Sequence, residues 1–368
     1  MKIAITSVGS LVGQNILDVL EGRRAGIEVV GVNSIAAAAG NFRCDRTYLA
    51  PPAARAGEYL DRIATILRDE RPDVALPGRD DDVVTLSRLK EAQPGLGPLL
   101  PVGPLRLARV LDDKWESHQF ARLHGLPFVD SALADDPLAI EQLLARHGFP
   151  LIAKPRAGHG SRGVRIILDE SQCTAARRLP DYLLQPYLEP EPELAEWGSR
   201  DGGGVPLFHS PMTQQIACQA VIDAARRVRA VFCTHVLSMA GRPQQVVRLD
   251  DDDVNSVAQR YAEQFAADGW VGALNLQGRR DRTGAFRVYE ANGRFTGGTS
   301  ARTRLGFDEV RLLLEGFASL RLPPPAFACS GEVIVVKSPN DDLLWPKAIN
   351  SLEADGHWQR GTAASPAP

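Results

Sequence analysis

The apolar positions of this chain change period several times, and each change predicts a change of element. Lys2 to Thr6 is a short apolar run. Val12, Ile16, Val19 and Leu20 then recur at helical spacing, before a second run from Glu28 to Val32. Strand, helix and strand in this order open a βαβ lobe, with Gly9 and Gly13 bracketing its first turn. Tyr59 to Arg68 repeats the helical period. Val74 to Pro77 is another strand, ending in Gly78-Arg79-Asp80-Asp81-Asp82. These carboxylates suit the first turn of a helix from Val83 to Leu89. Polar loops at strand ends also line sites, and the two roles are compatible. Pro94 to Pro104 reads as a linker. Leu107 to His124 reads as one helix, stopped by Gly125-Leu126-Pro127, and Pro137 to His147 as the next.

Strands dominate the second half. Leu151 to Ala153 and Val164 to Leu168 flank Gly158, Gly160 and Gly163, and Tyr182 to Leu188 is a further strand. Glu189 to Pro211 is rich in Pro, Gly and acid without a period, and reads as a mobile insertion. Ile216 to Asp223, Val228 to Leu237 and Gln244 to Leu249 predict three antiparallel strands. Asp250 to Asp253 tempts a metal reading, but it precedes a helix from Val254 to Ala267 and complements that helix's dipole. Trp270 to Gln277 and Phe286 to Ala291 predict a hairpin turning at Asp281 to Gly284. A last helix spans Arg311 to Arg321, Pro323 to Pro325 break the chain, and Glu332 to Lys337 is a strand. Thr362 to Pro368 reads as disordered.

Composition narrows the class. With 368 residues the chain has room for two or three lobes with their own cores. Apolar content of 44% and charged content of 24% are ordinary, and a net charge of -3 gives no global pull toward nucleic acid or anionic membrane. Cys44, Cys173, Cys218, Cys233 and Cys329 are scattered and form no C-x-x-C pair, against a zinc site or a disulfide framework. No signal-peptide-like region opens the sequence, so the expected setting is cytoplasmic, with neither membrane nor nucleic acid as partner.

Two stretches carry candidate chemistry. In FPLIAKPRAGHGSRGVRII (Phe149 to Ile167) a strand lysine, Lys154, precedes a glycine-rich hairpin. Glycines let backbone N–H groups approach an oxyanion, and lysine supplies a point charge for phosphate. An ordinary hairpin with a surface lysine fits the same residues, and the Walker pattern is absent. On the later hairpin, alternation places Asn275 and Gln277 on one strand face, and Glu290 and Asn292 on one face of its partner. Oxygen ligands of this kind suit Mg²⁺ on substrate phosphates, and Arg294 suits charge on a transferred phosphoryl group. A salt-bridged hairpin is the alternative. The first turn lacks the full dinucleotide fingerprint, which disfavours a nicotinamide-dependent oxidoreductase.

Taken in order, these stretches resemble the ATP-grasp superfamily, most closely the ATP-grasp halves of carbamoyl-phosphate synthase large subunits and related amino-acid ligases. The resemblance spans roughly residues 1 to 320. It is carried by DDKWESHQFARLHGLPFV (Asp112 to Val129), by the Lys154 strand and glycine flap, and by NLQ (Asn275 to Gln277) with YEANGRFTGG (Tyr289 to Gly298). It implies an α/β fold, with an N-terminal doubly wound (pre-ATP-grasp) lobe followed by a two-part α+β ATP-grasp domain. The expected divisions are 1–105, 106–185, 186–322 and a C-terminal extension, 323–368.

The resemblance also implies roles. Lys114 and Lys154 match the phosphate-binding lysines, Gly160 and Ser161 the flap, and Gln185, Tyr187 and Leu188 the hinge that holds adenine. Gln277, Glu290 and Asn292 match the metal ligands, and Arg294 an arginine at the transfer centre, with Lys154 also expected to be catalytic. Arg248 is a further candidate facing the phosphates. The implied activity is ADP-forming ligation of a small carboxylate, through an acylphosphate, to an amine. ATP and Mg²⁺ are the implied cofactors, with Mn²⁺ as a substitute. Partners are the two small-molecule substrates, with a homodimer allowed. The competing reading is an ATP-binding module without ligase activity. The family's Asn-Pro-Arg is Asn292-Gly293-Arg294 here, the insertion blurs the ribose-binding acid, and the tail after Pro325 has no counterpart.

Overall fold

Four parallel strands begin the chain: β1 (Lys2–Ile5), β2 (Glu28–Asn33), β3 (Arg46–Leu49) and β4 (Val74–Leu76). Helices α1 (Leu11–Leu20), α2 (Ala39–Phe42) and α3 (Ala56–Glu70) connect them, and α4 (Asp80–Ala92) follows. The computed structural model describes residues 1–97, 99–158, 160, 162–188, 205–206, 213–239, 242–318, 322–325, 333–338 and 342–361. The parallel order is β3-β2-β1-β4. Ile3 and Ile5 pack with Ile16 and Leu20 of α1, while Ala4 and Val30 pack with Ile63 and Leu67 of α3. Both faces are therefore covered, as a parallel sheet requires.

The single helix expected from Leu107 to His124 is two, α5 (Leu105–Asp112) and α6 (Lys114–Leu123). Asp113 breaks it. Its backbone is extended, and its carboxylate accepts from the N–H groups of Trp115 and Glu116 as a cap. The same carboxylate holds Arg156 at 2.6 Å. The cap is a local signal that the apolar period runs through unbroken, and Arg156, which holds the same carboxylate, lies just past β6 (Leu151–Pro155).

The second sheet comprises β5 (Ala132–Leu133), β6 (Leu151–Pro155), β7 (Arg165–Ile167), β8 (Tyr182–Pro186) and β9 (Val205–Pro206), in the order β5-β8-β6-β7-β9. Helices α7 (Pro137–His147) and α8 (Glu170–Ala176) accompany it. β9 thus joins this sheet from beyond residue 185. Apart from β9, the insertion Glu189–Pro211 lies outside the described residues, as do Ser161 and Thr362–Pro368.

The third sheet begins with β10 (Thr213–Ile222), β11 (Val228–Met239) and β12 (Arg242–Arg248). Next come α9 (Asp252–Ala267), β13 (Gly272–Arg280), β14 (Phe286–Asn292), α10 (Thr299–Arg304) and α11 (Glu309–Ala318). Asp251 caps α9 by accepting from the N–H of Val254, so the acidic run serves the helix start. One apolar core runs from Ala4 and Leu67 of the first lobe to Tyr261 and Phe265 of α9 and Leu274 of β13.

The tail, unplaced from sequence, closes on both. β15 (Ile334–Val336) adds to β12. After α12 (Pro346–Asp355), β16 (His357–Gln359) pairs antiparallel with β3. Buried Trp358 anchors it, 5.2 Å edge-on from Phe42. Among the described residues no helix is long and apolar enough to cross a membrane.

Candidate active site

A cleft lies between the second and third sheets. Lys114 reaches it from the start of α6, Lys154 from β6, and Gly158 and Gly160 from the flap. Gln185, Tyr187 and Leu188 come from the end of β8, and Gln277 and Glu290 from the β13–β14 hairpin. Lys114 Nζ donates to the flap carbonyl of Gly158 at 3.2 Å, so the α6 lysine holds the root of the flap. Gly160 and Gly163 adopt φ of 65° and 76°, where a side chain is strained. A Cβ on Gly163 would also lie 2.5 Å from Tyr182 Oη.

Lys154 is 5% exposed and donates to the carbonyl of Tyr289 at 3.1 Å, which links the two sheets. Burial is the largest influence on its ammonium, Lys114 adds like-charge repulsion, and Glu290 opposes both. The result is a pKa pulled down from 10.5 to about 7. The Tyr289 ring lies 4.9 Å beneath the ammonium, and its hydroxyl donates to Gln215 Oε1 at 2.8 Å.

Strict alternation would put Tyr289 and Glu290 on opposite faces, yet both line the cleft. The cause is a bulge. Gln277 pairs with Glu290 and Gly278 with Val288, leaving Tyr289 as the extra residue. Periodicity had no means of revealing it. Arg279 and Arg162 also line the cleft and were missed from sequence, and Gln215 lines it too.

The hairpin's amides are oriented for oxygen donation. Asn275 Nδ2 donates to the carbonyl of Cys218 at 3.1 Å, which leaves Asn275 Oδ1 to accept from Gln277 Nε2 at 3.4 Å. Gln277 is thereby left with Oε1 as its uncommitted end. Asn275 and Asn292 pair directly, as do Gln277 and Glu290. Among the described residues no group of three His, Cys, Asp or Glu is arranged for a metal. A cation here would take one carboxylate and amide oxygens, hard donors that fit Mg²⁺. Asn292 is buried behind the cleft, with Oδ1 accepting from Arg294 Nη2 at 3.3 Å and Nδ2 unpartnered.

Two further predicted residues stand apart from the cleft lining. Arg294 does not line the cleft. Its Nε and Nη2 both meet the Asp80 carboxylate at 2.8 Å, and Nη1 donates to the carbonyl of Phe295 at 3.1 Å. Asp80 begins α4, so the acidic loop divides its work. Asp82 accepts from the Gly78 N–H and from Ser7 and Tyr59, while Asp80 reaches across to Arg294. Nearby Asp112 is raised to about 6, chiefly by burial and then by Asp80 and Asp81. Arg248 is remote from the cleft. It bonds Asp250 at 2.7 Å in a separate depression near Phe232 and α9, so the geometry removes it from the phosphate-facing set. Its exposed strand end pairs locally, which sequence position alone did not reveal.

No protein-family model matches the chain, and no curated protein sequence matches it. Solved structures do. One is the biotin carboxylase domain of Hydrogenobacter thermophilus 2-oxoglutarate carboxylase, a dimer with MgADP, ADP and bicarbonate. It has TM-score 0.62 and 16% identity, over 89% of this chain and 71% of that one. The ADP complex of N5-carboxyaminoimidazole ribonucleotide synthetase (PurK) has TM-score 0.64 and 13% identity, over 96% and 84%. The synthetase from Thermus thermophilus has TM-score 0.63 and 18% identity, over 91% and 82%. At these identities the likeness is one of fold.

Proposed function

We propose, on the premise that the chain has the ATP-grasp fold, that it is an ADP-forming ligase joining a small carboxylate to an amine. The observation that carries this reading is the convergence on one cleft of Lys114, Lys154, the glycine flap, the Gln185–Leu188 hinge, Gln277 and Glu290. Separate segments supply cations, backbone donors and hard oxygens, the set a nucleoside triphosphate calls for.

In the proposed reaction a carboxylate oxygen of the substrate attacks the γ-phosphorus of ATP. The bond from that phosphorus to the β–γ bridging oxygen breaks and ADP leaves. The amine nitrogen then attacks the acyl carbon, the phosphate leaves with the former carboxylate oxygen, and the nitrogen's proton passes to solvent. Lys154 and Lys114 neutralise the phosphates, and the flap covers them and excludes water. Glu290 and Gln277 Oε1 would hold Mg²⁺, which when bound supplies charge neutralisation at the terminal phosphates, and Asn292, behind the cleft, would complete the set by turning its Oδ1 from Arg294. Arg294 lies outside the cleft lining in a bidentate pair with Asp80, and would serve the transfer centre only by turning from that pair to the reacting group.

The bidentate hold of Asp80 on Arg294 favours one second reading, a nucleotide-binding module that transfers nothing. One experiment separates the two. The protein is screened with carboxylate and amine pairs bearing oxygen-18 in the carboxylate. Acceptor-dependent ADP and oxygen-18-labelled phosphate support the ligase. AMP and pyrophosphate refute the mechanism, and nucleotide binding without acceptor-dependent turnover across the screen favours the module.

A further inference from the structure

Gln185 lies on β8 opposite Ile152 of β6, is 2% exposed and lines the cleft. An amide presents a donor at one end and an acceptor at the other, so its orientation decides what a ligand must offer. The neighbouring strand settles that orientation. β5 pairs with β8 through Ala132↔Leu184 and Leu133↔Leu183, which brings Ser131 beside Gln185. Ser131 Oγ donates its one hydrogen to the carbonyl of Val129 at 3.1 Å. It can then only accept, and the 2.9 Å contact with Gln185 is donated by Nε2. Gln185 Oε1 is left without a partner among the described residues.

We propose that Ser131 is a positioning residue that sets the base specificity of the cleft. It holds Gln185 with its amide oxygen toward a purine bearing a 6-amino group, so that adenine is taken and a 6-oxo purine refused. This rests on reading the cleft as a nucleotide site. Guanine would set its O6 against Gln185 Oε1, two acceptors with no hydrogen between them, in a site already shielded from water. The Leu188 carbonyl at the same end already accepts from Arg279 at 3.2 Å, with that guanidinium 5.2 Å over the Tyr187 ring. Base selection therefore falls more heavily on Gln185. Without the Ser131 hydroxyl the amide can turn over, offer Nε2 to O6 and lose its discrimination.

The test is calorimetric titration of the full chain with MgADP and MgGDP. The native protein is expected to prefer the adenine nucleotide by about 10- to 100-fold. Ser131→Ala is expected to bring the ratio to within about threefold while ADP affinity itself moves little. Ser131→Thr, which keeps the hydroxyl, should retain the preference. Gln185→Glu in the Ser131→Ala background, with acceptors at both ends, should restore it. Gln185→Leu tests the same selection with Ser131 intact and should lose it. A merely structural Ser131 would shift both affinities together. An unchanged ratio in Ser131→Ala, retained selectivity in Gln185→Leu, or equal binding of both diphosphates by the native protein overturns the proposal. A native protein that binds neither nucleotide defeats the reading of the cleft itself, and the Ser131 assignment with it.

Discussion

Nucleotide binding should draw a proton into this protein, and Lys154 is the reason. Its ammonium is held at about 7 against 10.5 in the unfolded chain, because it is buried beside Lys114 with only Glu290 in compensation. That difference disfavours the charged form by roughly 4–5 kcal/mol. A phosphate placed next to it reverses the balance, since a nearby opposite charge favours the charged form. At pH 8 about one tenth of the free protein carries the charge, so binding takes up about 0.9 proton per nucleotide, and about half a proton at pH 7. A terminal phosphate of pKa near 6 is already ionised at pH 8 and adds little. The dissociation constant should therefore weaken about tenfold for each pH unit above 7. Titration calorimetry of MgADP at pH 8, in buffers of different ionisation enthalpy, reads the uptake as a slope. In Lys154→Met the slope should vanish and the affinity should flatten with pH. Measurable binding without uptake at pH 8, or an equal uptake in Lys154→Met, would refute the reasoning. The apo protein carries the same sign. Between pH 7 and 10.5 the unfolded chain holds more protons at this position, so its contribution to stability rises with pH across that window.

Glu290→Ala should cut substrate-dependent ADP release by about 100-fold or more at saturating Mg²⁺ by removing the sole carboxylate of the hairpin set. Near-native phosphate release would disprove the metal assignment. Asp80→Ala leaves Arg294, 11% exposed, without its counter-charge and should cost about 3–5 kcal/mol in urea unfolding, with Asp80→Glu recovering part of the loss. A change below about 1 kcal/mol would show the pair to be dispensable. Asp112, raised from 3.8 to about 6, is destabilising when ionised. Asp112→Asn should therefore stabilise the protein by about 1–3 kcal/mol at pH 8, with the gain fading as pH falls through 6 toward 4. A gain that persists at pH 4 would point to packing instead.

The sequence by itself determined the elements whose signal is local. The βαβ opening, the glycine flap after Lys154 and the hairpin carrying Gln277 and Glu290 all show in periods and turn residues. Those features depend on backbone conformation and on burial of one face, both written within a few residues. The expectation that Lys114 is a phosphate-binding lysine came only from the order of motifs and their resemblance to a family, and its bond to the flap carbonyl of Gly158 was not foreseen. Tertiary structure alone decided the rest. Arg156, just past β6, holds the carboxylate of the Asp113 cap, and Tyr289 joins Glu290 in the cleft because a bulge inserts it there. Asp80 captures Arg294 from 214 residues away, and Arg248 turns to Asp250 outside the cleft. The tail finds its place by adding strands to two sheets already formed. In most of these cases the deciding partner is distant along the chain. A charge, an open sheet edge or an amide's orientation is satisfied by what folding brings beside it, and no periodicity in the chain records that neighbour.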